Sequence, residues 1–295
     1  MTDAQTLTRA LNGKWHGRYG RACCPACNDD NRSNPALSIK QGANGKLLLW
    51  CFKGCEFADI LDSLRARGIA AGAGTYNPPN ATDVLRNESE VEADIVKRAA
   101  LARRSWQEAM HIGGTLAETY LRNRGITSPL PETLRFHPNC WHATGKRLPA
   151  MLARIDCEKY FGLHRTYLTA VTGEKSGVTP NKAMLGSAKG GGVRLREAPG
   201  PLVVAEGIET ALSLSSGLLE RFGSLWAALS VSGMTGLRLP DVPHELVIAC
   251  DGDKAGRTAA FTLAERATSR GWRVSVADPG DGLDFNDLLQ RGTAA

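Results

Sequence analysis

The last third of the chain alternates strand-like and helix-like stretches, and no other feature limits its fold so tightly. LVVAE precedes IETALSLSSGLLERFG, and LWAALS follows. LVIAC precedes AGRTAAFTLAERATSRG, and RVSVADP precedes DFNDLLQRG. Strand and helix in such regular turn predict an α/β fold, a largely parallel sheet with helices on both faces. Open sheets of this kind gather functional groups where strands end at their carboxyl edge.

Carboxylates stand at those ends. Residues 247–256 read VIACDGDKAG, an apolar run that stops in Asp251, a glycine and Asp253. Two carboxylates this close repel, and a fold tolerates them most easily with a cation between them. Glu206 ends LVVA, with Gly207 next and a helix from Ile208. Neighbouring strands would bring Glu206, Asp251 and Asp253 to one place. RVSVADP leads to GDGLDFNDLL, adding Asp281, Asp284 and Asp287 near the same edge. Asp284 and Asp287, three apart at a helix start, share a face. Hard carboxylate oxygens select Mg²⁺ or Mn²⁺. One or two such ions can activate a hydroxyl and stabilise phosphoryl oxygens in an in-line displacement. The plainer alternative is a turn that collects aspartate and glycine, with an Asp serving only as a helix cap.

Near the start, Cys24-Pro-Ala-Cys27 is followed after 23 residues by Cys51-Phe-Lys-Gly-Cys55. Two thiolates two or three residues apart grip one ion from a tight turn, and two such turns close the tetrahedron of a structural Zn²⁺ site. PALSIK and KLLLWCF between them predict a hairpin around Gly-Ala-Asn-Gly, hence a zinc ribbon. Cys23 is a substitute ligand, with Cys24 preferred for its Cys-Pro-x-Cys turn. Lys14, Trp15, His16, Arg18, Tyr19, Arg21 and Arg32 surround the motif, basic residues interleaved with aromatics as suits single-stranded nucleic acid.

Five segments result. Residues 1–70 form the ribbon domain, ending in the short helix FADILDSLRARG, and 71–87 a Gly-, Pro- and Asn-rich linker. Residues 88–129 are helical, with Val91, Ile95, Ala99, Ala102 and Trp106 at helical spacing. Gly113-Gly114 breaks the helix, and Thr115 and Glu118 predict a capping box for the next. Residues 130–197 are strand-rich (MLARID, GLHRTYLT, VRLRE), and 198–295 are the alternating region. The net charge of +6 is uneven. Residues 1–75 hold 10 Lys and Arg against 6 Asp and Glu, and 76–199 hold 18 against 12. Residues 200–295 hold 8 against 12. A basic body suits a polyanion and an acidic end suits divalent ions. No run of 18 apolar residues occurs and MTDAQTLTRALNGKW lacks an apolar h-region, so a cytoplasmic protein without membrane contact is expected.

EGIETALS followed by ACDGDKAG resembles a Toprim domain, the metal-binding fold shared by bacterial-type primases, topoisomerases and certain nucleases. CPAC…CFKGCEFADILDSL resembles the zinc-binding domain of phage, plasmid and integrated-element primases. PAMLARI, LHRTYLT, KAMLG, GGVRL, WAALS and DFNDLL resemble, in order, blocks of their primase-type Toprim region. The likeness covers nearly the whole chain apart from the linker. It implies a Toprim-type, mostly parallel sheet flanked by helices, preceded by a small mixed α+β region and an N-terminal zinc ribbon. It also implies a DNA primase, a nucleotidyltransferase that makes short RNA primers from NTPs on single-stranded DNA in a bacterial cell, with a phage or plasmid among its open sources. By that resemblance Glu206 is the metal-organising or general acid/base carboxylate. Asp251 and Asp253 hold the catalytic Mg²⁺ or Mn²⁺, with Asp284 an additional ligand ahead of Asp287. Arg165 and Lys182 are assigned to triphosphate or template contact, with Arg154, His164, Lys189 and Arg194 behind them. The ribbon, through Arg18 and Arg21 among others, would bind template.

Primases of mobile elements are often fused to a helicase, yet the sequence holds no G-x-x-x-x-G-K-[ST] phosphate loop. A separate helicase, or DNA already single-stranded and held by a binding protein, is expected as partner. The rival readings are a non-catalytic recombination mediator, a Toprim nuclease, a topoisomerase and a zinc-dependent single-strand-binding module. Cys140, Cys157, Cys250 and the cluster His137, Cys140 and His142 read as structural.

Overall fold

The computed structural model describes the chain except residues 1–2, 18, 28–30, 33–34, 43–45, 70–80, 220–221 and 294–295, and gives the backbone alone for 81–88, 90, 91 and 293. It divides into two units, Met1–Val84 and Leu85–Ala295.

In the first unit, α1 (Ala4–Ala10) leads into four strands, β1 (Lys14–Trp15), β2 (Tyr19–Ala22), β3 (Leu37–Gln41) and β4 (Leu47–Cys51), and then α2 (Phe57–Ala66). The strands form an antiparallel sheet in chain order. Alternation sorts its faces. Ala22, Leu37, Ile39, Leu49 and Cys51 are buried with Leu7, Ile60 and Leu64 of the helices. Tyr19, Arg21, Ser38, Lys40, Leu48 and Trp50 fall on the other face. The β3–β4 pairing is the predicted hairpin, closed by Gly42 N–H donating to Lys46 O at 2.8 Å. α1 packs so closely on β2 that a Cβ at Gly20 would overlap the Thr8 side chain.

α3 (Ala81–Glu108) begins just before the boundary and leads into the second unit. This helix starts inside the segment read as linker: once past Pro78-Pro79, the sequence ATDVLRN carries no breaker, and 81–87 are helical in backbone. Residues 71–80, the rest of that linker, lie outside the described residues. Ala99, Ala102 and Trp106 are buried, as their spacing predicts. After β5 (Met110–His111), α4 (Leu116–Arg122) begins with a rearranged capping box. Glu118 accepts from Gly114 N–H at 2.8 Å, and the Thr115 hydroxyl donates to Ile112 O instead.

Residues 130–197 contain β6 (Leu134–Trp141), β7 (Arg147–Ile155), β8 (Gly162–Tyr167), β9 (Lys182–Gly186) and β10 (Val193–Arg196). β5 to β9 make an antiparallel sheet in chain order. β10 does not join it. It pairs antiparallel with β12 (Leu225–Ala227), at the edge of the next sheet, so the boundary drawn at 197 cuts off a strand of the alternating region. That region holds β11 (Leu202–Ala205), α5 (Ile208–Ser213), β12, α6 (Val231–Gly236), β13 (Glu245–Ala249), α7 (Lys254–Thr268), β14 (Arg273–Ala277) and α8 (Phe285–Thr293). Sheet order is β10-β12-β11-β13-β14, and every pairing but the first is parallel. β11 and β12 are wholly buried, between helices whose apolar residues form two cores, one on each face. The predicted fold class holds. Among the described residues no helix is long and apolar enough to cross a membrane.

Candidate active site

β11 and β13 are adjacent and parallel with Ala205 opposite Ala249, so the residues that follow them, Glu206 and Asp251, emerge at the same edge. Gly252 lets the next loop close. Its N–H donates to Leu283 O at 2.8 Å and its carbonyl accepts from Gly282 N–H at 2.9 Å. A Cβ at Gly252 would run into the carbonyl of Gly280. The glycine between the two aspartates thus lashes their loop to the 280–283 loop, which delivers Asp284. On the other side Leu229 N–H donates to the Glu206 carbonyl at 2.6 Å, with Leu229 in the left-handed region at φ 75°. Backbone strain of this kind gathers at functional sites.

The carboxylates feel one another. Burial first, then the charges of Asp251 and Asp253, push the Glu206 carboxyl up to about 7, against the pull of Lys182. Burial, then Asp284 and Asp253, push Asp251 up to about 6, again against Lys182. Asp251 Oδ1 is buried without a hydrogen-bond partner. A buried acceptor is seldom left unpaired, and a hard divalent cation is the partner that several crowded carboxylates fit. Asp253 also caps α7, accepting from Gly256 N–H at 2.6 Å. Asp284 and Asp287 cap α8 reciprocally. Asp281 stands apart, 94% exposed and paired with Arg257 at 2.7 Å.

Residues 201–295 match the family model described as Toprim domain, and residues 96–195 match DUF7146, a domain of unknown function. The last third of the chain is a Toprim domain. Among curated proteins nothing matches the chain. Among solved structures it is similar to a DNA primase domain from Pseudomonas aeruginosa (19% identity, 65% of this chain and 74% of that one, TM-score 0.42). It is also similar to the zinc-binding and RNA polymerase domains of the Aquifex aeolicus primase (17%, 99% and 80%, 0.39). A third is the primase fragment of the bacteriophage T7 primase-helicase protein (14%, 90% and 93%, 0.39).

The basic residues named from the sequence divide. Lys182, on β9, lies by the Toprim carboxylates and donates to Glu209 Oε2 at 3.0 Å. Lys189 is exposed on the wall of a cavity of about 930 Å³ that Leu229, Ser230, Arg238 and Arg270 also line. Arg154 is exposed on β7. Arg194 is held by Asp156 at 2.5 Å and Glu197 at 2.7 Å and stacks over Trp226. Arg165 corrects the expectation of a phosphate contact. It is buried, with Nη1 donating to Trp141 O at 3.0 Å, and it knits β8 to the end of β6. His164 is buried too, and burial first, then Lys182, hold its imidazole down at about 4, so it is neutral at pH 7. The strand β8 is buried along its whole length, which no alternation in GLHRTY signals. Sequence reasoning missed Glu209, although it lies inside the quoted stretch EGIETALS, and missed Tyr120 and Lys175, which no motif marks.

In the first unit the Sγ atoms of Cys24, Cys27, Cys51 and Cys55 all lie within 4.8 Å of one another. The four-cysteine cluster fits a zinc ribbon, with Cys24 rather than Cys23 turned inward. Burial opposes ionisation of Cys51, yet N–H bonds from Cys55 and Lys53 outweigh it and bring the thiol down to about 7. A thiolate so supported is a ready metal ligand. Arg21 lies over the Phe52 ring at 4.3 Å, beside exposed Trp50. Arg18 lies outside the described residues. The His137–Cys140–His142 cluster is structural: His142 bonds Thr144 Oγ1 at 2.8 Å and Pro180 O at 2.9 Å, and His137 faces Glu108.

Proposed function

We propose that this chain is a DNA primase, synthesising short RNA primers from NTPs on single-stranded DNA at the Toprim site. The observation that carries this reading is the meeting of Glu206, Asp251, Asp253 and Asp284 at one sheet edge with Lys182 beside them. Carboxylates and an ammonium side by side match the two ends of a metal–triphosphate. Glu206, Asp251 and Asp253 would hold Mg²⁺ or Mn²⁺, with Asp284 and, more weakly, Asp287 completing the set. Such an ion, when bound, makes the attacking hydroxyl more acidic and neutralises the phosphoryl oxygens. Lys182 grips the triphosphate and orients it for in-line attack, with Lys189 and Arg154 along the strand or triphosphate path. Glu206 either organises the ion or acts as general acid/base, taking or returning a proton at its Oε atoms.

Zn²⁺ held by Cys24, Cys27, Cys51 and Cys55 would keep the first unit folded, with no open position for catalysis. Its outer sheet face stacks template bases on Trp50 and Phe52 and meets the backbone with Arg21 and Lys40. The chain would work with a separate helicase or single-strand-binding protein, in a bacterial host or a mobile element within it.

The test is a priming assay: purified protein, single-stranded DNA, labelled NTPs and Mg²⁺ or Mn²⁺, beside Asp251→Ala/Asp253→Ala. Short labelled products from the wild type alone are expected. Bound, intact DNA without products would point to a recombination mediator or binding module, and a cut template to a nuclease.

A further inference from the structure

Glu209 is a buried carboxylate beside the Toprim site that faces cations rather than the other carboxylates. It lies three residues past Glu206, on α5, and its side chain is 7% exposed. Oε2 accepts from Lys182 at 3.0 Å and Oε1 from the Tyr120 hydroxyl at 2.6 Å, with Lys175 at 3.9 Å from Oε1. Both lysines keep about a third of their side chains exposed, 35% for Lys182 and 32% for Lys175. The charge of Lys182 reaches past Glu209 to both Glu206 and Asp251.

We infer that Glu209 is a positioning residue: it fixes the Lys182 ammonium at the edge of the carboxylate site, so that the remaining N–H donors of Lys182 meet a nucleotide's phosphates. This rests on the nucleotidyl-transfer reading above. A lysine ammonium on its four-carbon stem roams, and it carries three donors. Glu209 engages one and leaves the others for an anion. A buried carboxylate is costly, and an apolar residue would fill the space at less cost if packing were its whole task. Two ammoniums around one carboxylate also leave a positive surplus, as an incoming triphosphate requires.

The rest of the molecule holds Glu209 still. Ser213 Oγ donates to the Glu209 carbonyl at 2.9 Å, and Asn286 Nδ2 donates to Ser213 Oγ at 2.9 Å. Arg124 donates to Asn286 Oδ1 at 3.0 Å and also stacks over the Tyr120 ring at 5.0 Å. Asn286 stands two residues from Asp284. The network thus ties α5, which follows Glu206, to α8, whose start Asp284 caps, and puts Glu209 at its centre.

The experiment measures binding of a fluorescent ATP analogue, with Mn²⁺ and a single-stranded oligonucleotide, to the full chain. It compares wild type, Lys182→Gln, Glu209→Gln and the double variant, and follows Mn²⁺ binding without nucleotide by electron paramagnetic resonance. Each single change should weaken nucleotide binding about tenfold, the scale of one charge-assisted hydrogen bond. The double variant should be no weaker than the weaker single, and Mn²⁺ affinity should not fall when the Lys182 charge is removed. A Glu209→Gln protein that binds nucleotide like the wild type overturns the inference, as do losses that multiply to about a hundredfold. A wild type that binds Mn²⁺ but no nucleotide brings down the nucleotide reading itself, and this inference with it. If Glu209→Gln does not fold, Tyr120→Phe keeps the charge and loosens its hold. Its loss, about threefold, should vanish in a Lys182→Gln background, and a loss that persists there overturns the inference.

Discussion

Asp284 and Asp287 each accept the other's backbone N–H: Asp287 donates to Asp284 Oδ1 at 2.8 Å, and Asp284 to Asp287 Oδ2 at 3.0 Å. The pair closes the start of α8 while the charge of Asp284 still bears on Asp251. Cap and ligand roles therefore separate by charge. Asp284→Asn keeps a capping acceptor and should change stability by less than about 0.5 kcal/mol while weakening Mn²⁺ binding. Asp287→Ala should cost about 1 kcal/mol with the smaller effect on Mn²⁺. Urea unfolding and Mn²⁺ titration check both.

Asp251→Asn should cut primer synthesis by more than about a hundredfold. It should also stabilise the chelator-treated protein at pH 8. The folded carboxyl is pushed up to about 6, above the unfolded value of about 3.9. Its ionised form is therefore penalised by folding, fully above pH 6 and not at all well below pH 4. The gain should be on the order of 2 kcal/mol at pH 8 and near zero at pH 3. Unchanged melting at pH 8 would count against the crowding of these carboxylates.

Cys51→Ser should strip zinc from the protein and unfold the first unit, since structural zinc supplies about 10 kcal/mol or more in such modules. Cys23→Ser should keep a full equivalent, because the sulfur cluster uses Cys24. Metal analysis of the two variants separates these outcomes.

Trp50 is 67% exposed on the outer face of the ribbon sheet. Trp50→Ala should weaken binding of a single-stranded oligonucleotide about tenfold, the scale of one lost base stack, with zinc content unchanged. Fluorescence anisotropy measures it, and equal affinity would remove this face from the template path.

Burial pushes the Glu209 carboxyl up, but Lys182, Lys175 and the Tyr120 hydroxyl outweigh it and hold the group well below the usual carboxylate range. A depressed folded pKa adds stability that is fully present above the unfolded value of about 4.3 and is lost as pH falls through the folded one. The wild type should therefore exceed Glu209→Gln in stability at pH 7 and lose that advantage at low pH. Chemical unfolding at pH 7 and pH 3 tests the sign.

The alternation of the last third and the spacing of four cysteines made the parallel sheet and the four-cysteine cluster legible in advance. Both are local patterns, written in strand period, helix period and the reach of a tight turn. The strand-end carboxylates Glu206 and Asp251 could be paired on the same ground, since parallel neighbours must end at one edge. Tertiary structure alone decided the rest. Arg165 looks like any basic residue on a strand until β8 proves buried along its length and the guanidinium turns to Trp141 O. β10 reads as the end of one segment and pairs into the next. Glu209 reads as a polar residue in a helix, and only the packing of α5 against Tyr120 and Lys182, 89 and 27 residues distant, makes it a charged hub. Burial and ion pairing between distant segments leave no period in the sequence, because they depend on which faces meet and not on how each segment is spaced.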